Sequence, residues 1–123
     1  MNNINLIKKA FKNKKVLVTG HTGFKGTWLV AWLKLLGAKV VGISIDIPTT
    51  PSHFVKSKLS SKIKDLRFDV KSNKFSKVIQ DFKPDFIFHL AAQSLVTKSF
   101  DDPILTWNTN VLGTANVLQS LTT

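Results

Sequence analysis

Apolar residues recur at helical spacing near the start of the chain, where Ile4, Ile7 and Phe11 fall on one side of a short amphipathic helix over Ile4–Lys12. That period then breaks. Lys15 to Thr19 is an apolar, β-branched run stopping at Gly20, the pattern of a strand buried in a sheet. From Phe24 to Leu36 a helical stripe returns through Phe24, Trp28, Leu29, Trp32, Leu35 and Leu36. Gly37 follows where a helix C-cap belongs, and packing on a sheet accounts for Trp28 and Trp32, four apart on one face. Lys39 to Ile45 reads as a second strand, Asp46 to Ser61 as a loop carrying Pro48 and Pro51, and Ile63 to Phe68 as a third strand running into Asp69. Ser72 to Phe82 repeats Phe75, Val78, Ile79 and Phe82 at helical spacing until Lys83-Pro84 ends it. Asp85 to Leu90 is a fourth strand, apolar enough to be expected buried on both faces. Asp101 and Asp102 ahead of Pro103 then open a long helix with Ile104, Val111, Ala115 and Leu118 on one stripe.

Strands alternating with helices are βαβ units, and right-handed crossovers make them a parallel sheet with helices on both faces. The fold class expected is α/β, half of a doubly wound dinucleotide-binding sheet with strand order 3-2-1-4, as a single domain over residues 1–123. No repeat of solenoid length interrupts this reading.

Composition narrows the chemistry. With 43% hydrophobic and 20% charged residues the chain is globular, and without cysteine it has no disulfide, thiolate metal site or cysteine nucleophile. The net charge of +11 would suit a nucleic-acid or membrane surface, but seventeen of the eighteen basic residues are scattered lysines and Arg67 is the one arginine. Nucleic-acid readers lean on arginine forks, so a solvated basic surface is expected instead, with no nucleic acid as partner. The stretch from Pro103 to Thr123 is uncharged but too rich in Asn and Thr to span a membrane, and the lysine-bearing start is no secretory signal. A cytoplasmic protein is expected.

Thr19-Gly20-His21-Thr22-Gly23-Phe24-Lys25-Gly26 lies between the first strand and its helix. Gly20 permits the tight turn, Gly23 has no Cβ to obstruct a pyrophosphate, and Gly26 allows close packing of the helix on the sheet. Amides around Thr22 to Lys25 then face a phosphate at the positive end of the helix dipole. Asp46, twenty residues after Gly26 at the end of the second strand, is placed to accept from adenosine ribose hydroxyls. No arginine or lysine lies between Asp46 and Val55 to take a 2′-phosphate, so the expected cofactor is NAD rather than NADP. Asp69 either meets the adenine amino group or caps the helix beginning near Lys71. Leu90-Ala91-Ala92-Gln93 closes the fourth strand with small residues that leave room for a cofactor. His89 reads as a hydrogen-bonded core residue, His21 as lining the phosphate region, and His53 as a loop residue. The three histidines lack metal-ligand spacing, so no metal is expected.

The glycine loop, the small-residue end of the fourth strand and Thr109-Asn110-Val-Leu-Gly113-Thr114-Ala-Asn116-Val-Leu118 together resemble the extended short-chain dehydrogenase/reductases, the NAD-dependent epimerase/dehydratase group with its Rossmann fold. Thr19 to Leu29, the Asp46–Phe54 loop, His89 to Val96 and Ser99 to Pro103 are similar to a narrower branch, the CDP-glucose 4,6-dehydratases. The resemblance covers nearly the whole chain from Lys14 onward. It implies a lyase that oxidises C4 of a nucleotide-linked glucose, eliminates water across C5 and C6, and returns the hydride to C6. It also implies a homodimer built on the helices around Pro103, and cofactor contacts from Gly20, Thr22, Gly23, Phe24, Lys25, Gly26, Asp46, Asp69, Leu90, Ala91, Ala92 and Gln93. Asn110 matches an asparagine kept near the strand-four end, and Trp107 stands where tyrosine is commoner.

Such enzymes take a proton with the tyrosine of a Tyr-x-x-x-Lys pair, and this chain has no tyrosine. No catalytic residue is therefore expected in it. The expectation is the amino-terminal part of a nucleotide-sugar dehydratase, ending before a fifth strand and inactive alone. A nucleotide-sugar epimerase and a stand-alone dinucleotide-binding regulatory module are the other readings.

Overall fold

Short β-branched runs become strands where both of their faces find apolar cover. The structure, a computed structural model, describes residues 3–122. The elements are α1 (Asn3–Phe11), β1 (Lys15–Thr19), α2 (Phe24–Leu35), β2 (Lys39–Ser44), α3 (His53–Lys56), β3 (Lys64–Arg67), α4 (Lys74–Phe82), β4 (Phe86–His89), α5 (Val96–Asp101), α6 (Pro103–Trp107) and α7 (Gly113–Gln119). A π-helical segment, Asn108–Leu112, joins α6 to α7, and a single 3₁₀ turn, Leu59–Ser61, precedes β3.

The four strands form one parallel sheet of order β3-β2-β1-β4, as the βαβ pattern requires. β1 is central, with Leu17 paired to Val41 on one side and Ile87 on the other. Alternation along β1 divides the core. Val16 and Val18 pack with Val30, Leu33, Phe54 and Leu59 on one face, whereas Leu17 joins Val41, Ile43, Phe75 and Val117 on the other. Helices thus cover both faces, α2 and α3 on one and α4 and α7 on the other.

Several expectations change in the folded chain. The stripe predicted to seat α2 on the sheet is split: Leu36 is buried and Leu29 packs on the core, but Phe24, Trp28, Trp32 and Leu35 are exposed, and Gly26, Thr27, Val30 and Leu33 take the buried side. Small residues win that face because Gly26 and Thr27 let the helix start against the glycine loop, and this rotation sets which way every later side chain points. In the helix from Pro103 the stripe of Ile104, Val111, Ala115 and Leu118 is exposed, and the inward side is Gly113, Val117 and Ser120. Nor is it one continuous α-helix, because the π segment inserts at Asn108. β4 is not buried on both faces: Phe86 is exposed and Ile87 to His89 are half-buried, since β4 is an edge of this sheet. Phe11 of α1 partly covers it, with ring centroids 5.2 Å from Phe86 and 6.3 Å from Phe88.

The loop from Asp46 to Ser61 contains α3, capped by the Ser52 hydroxyl accepting from the Val55 amide at 3.4 Å, and the apolar ring of Phe54 enters the core from it. α5, Val96–Asp101, forms where the sequence pattern marks no helix. Among the described residues no helix is long and apolar enough to cross a membrane.

Candidate functional site

Gly20 leaves β1 with φ of +72°, a conformation L side chains rarely adopt, and its amide donates to the Ile43 carbonyl at 2.8 Å. A Cβ there would stand 2.8 Å from the Ala91 amide nitrogen, so the turn out of β1 and the chain leaving β4 approach closely. At Gly26 a Cβ would collide with the Gly20 carbonyl oxygen and lie 2.8 Å from His21 Cα, which is what seats α2 beneath its own loop. Gly23 is different. Its φ is −72°, so the loop asks no left-handed conformation of it, and a Cβ would meet only the Gly20 oxygen at 3.4 Å. As N-cap of α2 it offers no side-chain acceptor to the first-turn amides.

These residues open onto a cleft of about 630 Å³ at the carboxyl ends of the strands. The glycine loop supplies Gly20, Thr22, Gly23, Phe24, Lys25 and Gly26. The end of β2 adds Ser44, Ile45 and Asp46, followed by Pro48. Phe68 and Val70 after β3, then Leu90, Ala91, Ala92 and Ser94 after β4, and Thr109 of the π segment complete the wall. The cleft straddles β1, where the sheet order reverses between β2 and β4, the place at which open α/β sheets bind ligands. Its volume is in the range that takes a small ligand or cofactor.

Three expected contacts fall outside the wall. Asp69 is taken up locally: Oδ1 accepts from the Lys71 amide at 2.9 Å and Oδ2 lies 3.4 Å from Lys71 Nζ, so it caps the turn into α4. Gln93 and Asn110 bind each other. Asn110 Oδ1 accepts from the Gln93 amide at 2.7 Å and its Nδ2 donates to the Gln93 carbonyl at 3.0 Å, like a missing strand partner. This clamp orients Leu90 to Ala92, the residues that do face the cleft. The extra backbone of the π segment brings Asn110 to that position.

His89 is the hydrogen-bonded residue expected. Thr19 Oγ1 lies 2.7 Å from Nδ1, Thr114 Oγ1 lies 3.0 Å from Nε2, and Thr114 in turn donates to the Asn110 carbonyl at 2.7 Å. A proton on Nε2 satisfies every partner. Burial lowers the pKa of His89, in keeping with that neutral ring. His21 turns away from the phosphate region and is fully buried, 2.7 Å from Asp65 Oδ1 and 3.0 Å from Ser44 Oγ. A Cβ on Gly42 would collide with its ring, so β2 is flattened to receive it. Burial outweighs Asp65 and lowers the pKa of His21 too. His53 opens α3, its ring 4.9 Å from that of Trp28. Among the described residues no cluster of His, Cys, Asp or Glu could hold a metal ion.

Sequence reasoning missed Ser44, Ile45, Pro48, Phe68, Val70, Ser94 and Thr109 as wall residues. Phe68 and Val70 carried a signal, since they flank Asp69 and alternate with it at a strand end. Ser94 and Thr109 reach the cleft only through the loop after β4 and the π segment.

The sequence pattern of the GDP-mannose 4,6 dehydratase family matches residues 17–123. The chain belongs to that family. Within it and around it, CDP-glucose 4,6-dehydratase of Salmonella typhimurium is 44% identical over 93% of this chain and 32% of the relative. UDP-glucose 4-epimerase of Mycolicibacterium smegmatis is 34% identical over 86% of the chain and 34% of the relative. The chain thus spans about a third of the length of these family relatives. Among solved structures, the epimerase Mth375 of Methanothermobacter thermautotrophicus superposes with a TM-score of 0.82 at 29% identity, over 95% of this chain and 34% of that one. UDP-glucose 4-epimerase of Thermus thermophilus, solved in complex with NAD, superposes with a TM-score of 0.75 at 28% identity, over 86% of this chain and 33% of that one. These relatives are named as nucleotide-sugar dehydratases and epimerases.

Proposed function

We propose that this chain is the NAD-binding portion of a nucleotide-sugar 4,6-dehydratase acting on CDP-glucose. The observation that carries the reading is the cleft at the strand ends, which gathers the glycine loop, Asp46 and Leu90–Ala92 from separate stretches of sequence. The groups fit a dinucleotide. Phe24, Lys25 and Gly26 amides would take the pyrophosphate at the start of α2, with Gly23 leaving space for it. Asp46 would accept from the adenosine ribose hydroxyls, and Ile45, Pro48, Phe68 and Val70 offer apolar walls for the adenine. The small side chains of Ala91 and Ala92 leave room beside β4 for the nicotinamide end. NAD when bound would supply a reversible hydride acceptor, and the residues lining the cleft would hold and orient it.

Substrate identity follows the 44% relative, whose own name specifies CDP-glucose. The epimerase reading is supported by the solved epimerase structures that share this half-sheet, and product analysis separates the two. The chain holds no tyrosine to act as the family's proton acceptor, so bound NAD is expected without turnover. Isothermal titration with NAD⁺ and NADP⁺ tests the cofactor, and tighter binding of NADP⁺ would overturn the role of Asp46. A 4-keto sugar formed from CDP-glucose by the intact gene product supports the dehydratase; release of a C4-inverted nucleotide sugar instead would select the epimerase. A 4-keto product from the 123-residue chain alone would show that a catalytic base other than tyrosine lies within it.

A further inference from the structure

No arginine or lysine lies between Asp46 and Val55 in the sequence, yet the fold delivers an arginine to Asp46 from β3. Arg67 donates from Nη1 to the Asp46 carbonyl oxygen at 3.1 Å. An arginine beside the acidic residue that ends the second strand is the group that accommodates an adenosine 2′-phosphate. A second cavity of about 390 Å³ beside Ile47 is lined by Arg67, Lys58, Ser60 and Ser61, with Asp65 as its one acidic residue.

Arg67 is nevertheless committed. Its Nη2 donates to Asp65 Oδ2 at 2.9 Å, and its guanidinium carbon lies 5.4 Å from the centre of the Phe54 ring. The other oxygen of Asp65 lies 2.7 Å from His21 Nε2. His21 Nδ1 is 3.0 Å from Ser44 Oγ, which accepts from the Thr22 amide at 3.4 Å. Thr22 Oγ1 closes the circuit by donating to the same Asp46 carbonyl at 2.6 Å. Every polar atom of the His21 ring is therefore spoken for, in a residue with no exposed surface.

We propose that His21 and Asp65 determine nucleotide specificity: Asp65, positioned by His21, neutralises Arg67 and ties its guanidinium down, so the arginine is withheld from a 2′-phosphate and NAD⁺ is preferred. The proposal rests on the reading of the main cleft as a dinucleotide site. Its physics is a matter of charge. A buried neutral imidazole donates one hydrogen bond to Asp65 Oδ1 without cancelling its charge, so that charge remains to balance Arg67, which donates to Oδ2. Lys58 remains nearby, but it is a flexible point charge without the planar fork that binds a phosphate on two sides.

Titration of the chain with NAD⁺ and NADP⁺, as wild type and as Asp65→Asn, reads the effect. Asparagine keeps an oxygen for His21 and removes the charge. The affinity ratio NADP⁺/NAD⁺ should rise about tenfold in Asp65→Asn, and adding Arg67→Gln should return it to the wild-type value. An unchanged ratio, or a raised ratio that survives Arg67→Gln, overturns the proposal. Arg67→Gln alone gives an arm that does not depend on the folding of Asp65→Asn. A neutralised arginine contributes nothing to 2′-phosphate affinity, so the ratio should stay within about twofold even if both affinities fall. A tenfold lower ratio would mean that Arg67 already holds the phosphate, and the proposal fails. Wild-type chain that binds NAD⁺ while Asp65→Asn changes nothing sinks the specificity argument and leaves the cleft standing; wild type that binds neither nucleotide removes both.

Discussion

Gly23 and Gly26 stand three residues apart in one loop, and their missing side chains serve different ends. Gly26 cannot carry a Cβ because the Gly20 carbonyl occupies its place, so its substitution is a folding defect. Gly23 has ordinary backbone geometry and open space around it, so its substitution reports on the ligand. Gly23→Val should therefore keep the circular dichroism and melting temperature of the parent while NAD⁺ affinity falls at least about tenfold, because a branched side chain fills the pyrophosphate position. Undiminished affinity would mean that the glycine serves only the turn. His21 and His89 make a second residue-scale prediction. Burial lowers both pKa values below the ordinary 6.5, so the unfolded chain binds protons more readily than the folded one. Their contribution to stability is complete above pH 6.5 and is lost as the pH falls below it. The melting temperature should decline from pH 7.5 to 5.5, and replacing both histidines by glutamine should flatten that profile; a flat wild-type profile would refute the assignment.

α2 shows what decides the orientation of a helix. Its aromatic residues form a convincing apolar stripe, yet the sheet receives Gly26, Thr27, Val30 and Leu33. The loop geometry at Gly20 and Gly26 fixes where the first turn lies, and the rest of the helix follows at 100° per residue. Adjacent substitutions test this directly. Leu33→Ala should cost about 2–5 kcal/mol by emptying a core position, whereas Trp32→Gln should stay within about 0.5 kcal/mol. Denaturant titration reads both, and a larger loss at Trp32 than at Leu33 would mean that the aromatic face of α2 is the buried one. The same logic holds for α6, the π segment and α7, where Asn110, Thr114 and Asn116 face inward with hydrogen bonds. Asn116 Nδ2 donates to the Val70 carbonyl, tying α7 to the turn after β3.

At the scale of the molecule, β4 is the vulnerable feature. It is an edge of the sheet, with Phe86 exposed and no lysine or proline inside it to discourage pairing. Phe100, Ile104, Trp107 and Leu118 are exposed apolar side chains, and the stretch from Pro103 to Thr123 carries no charge. The net charge of +11 opposes association at low salt. Screening shortens that repulsion to about 10 Å at 0.1 M. Light scattering should thus find dimers or larger species whose size grows with ionic strength. A clean monomer at both low and high salt would contradict this.

Strand positions, their parallel order and the glycine loop were legible in the sequence, because continuous β-branched runs and glycines between strand and helix report local constraints. Lys15–Thr19 is the strand predicted, residue for residue. The placement of Gly20, Thr22, Asp46 and Leu90–Ala92 around one cleft follows from topology, which βαβ handedness largely dictates. What the sequence could not specify was the rotation of α2 and α7, since each carries apolar residues on two faces and only packing selects between them. Nor could it place Arg67 against Asp46, His21 between Ser44 and Asp65, or Asn110 on Gln93. Those contacts join residues from 17 to 44 positions apart, and the partner of a polar group is chosen by whichever element the fold brings alongside it.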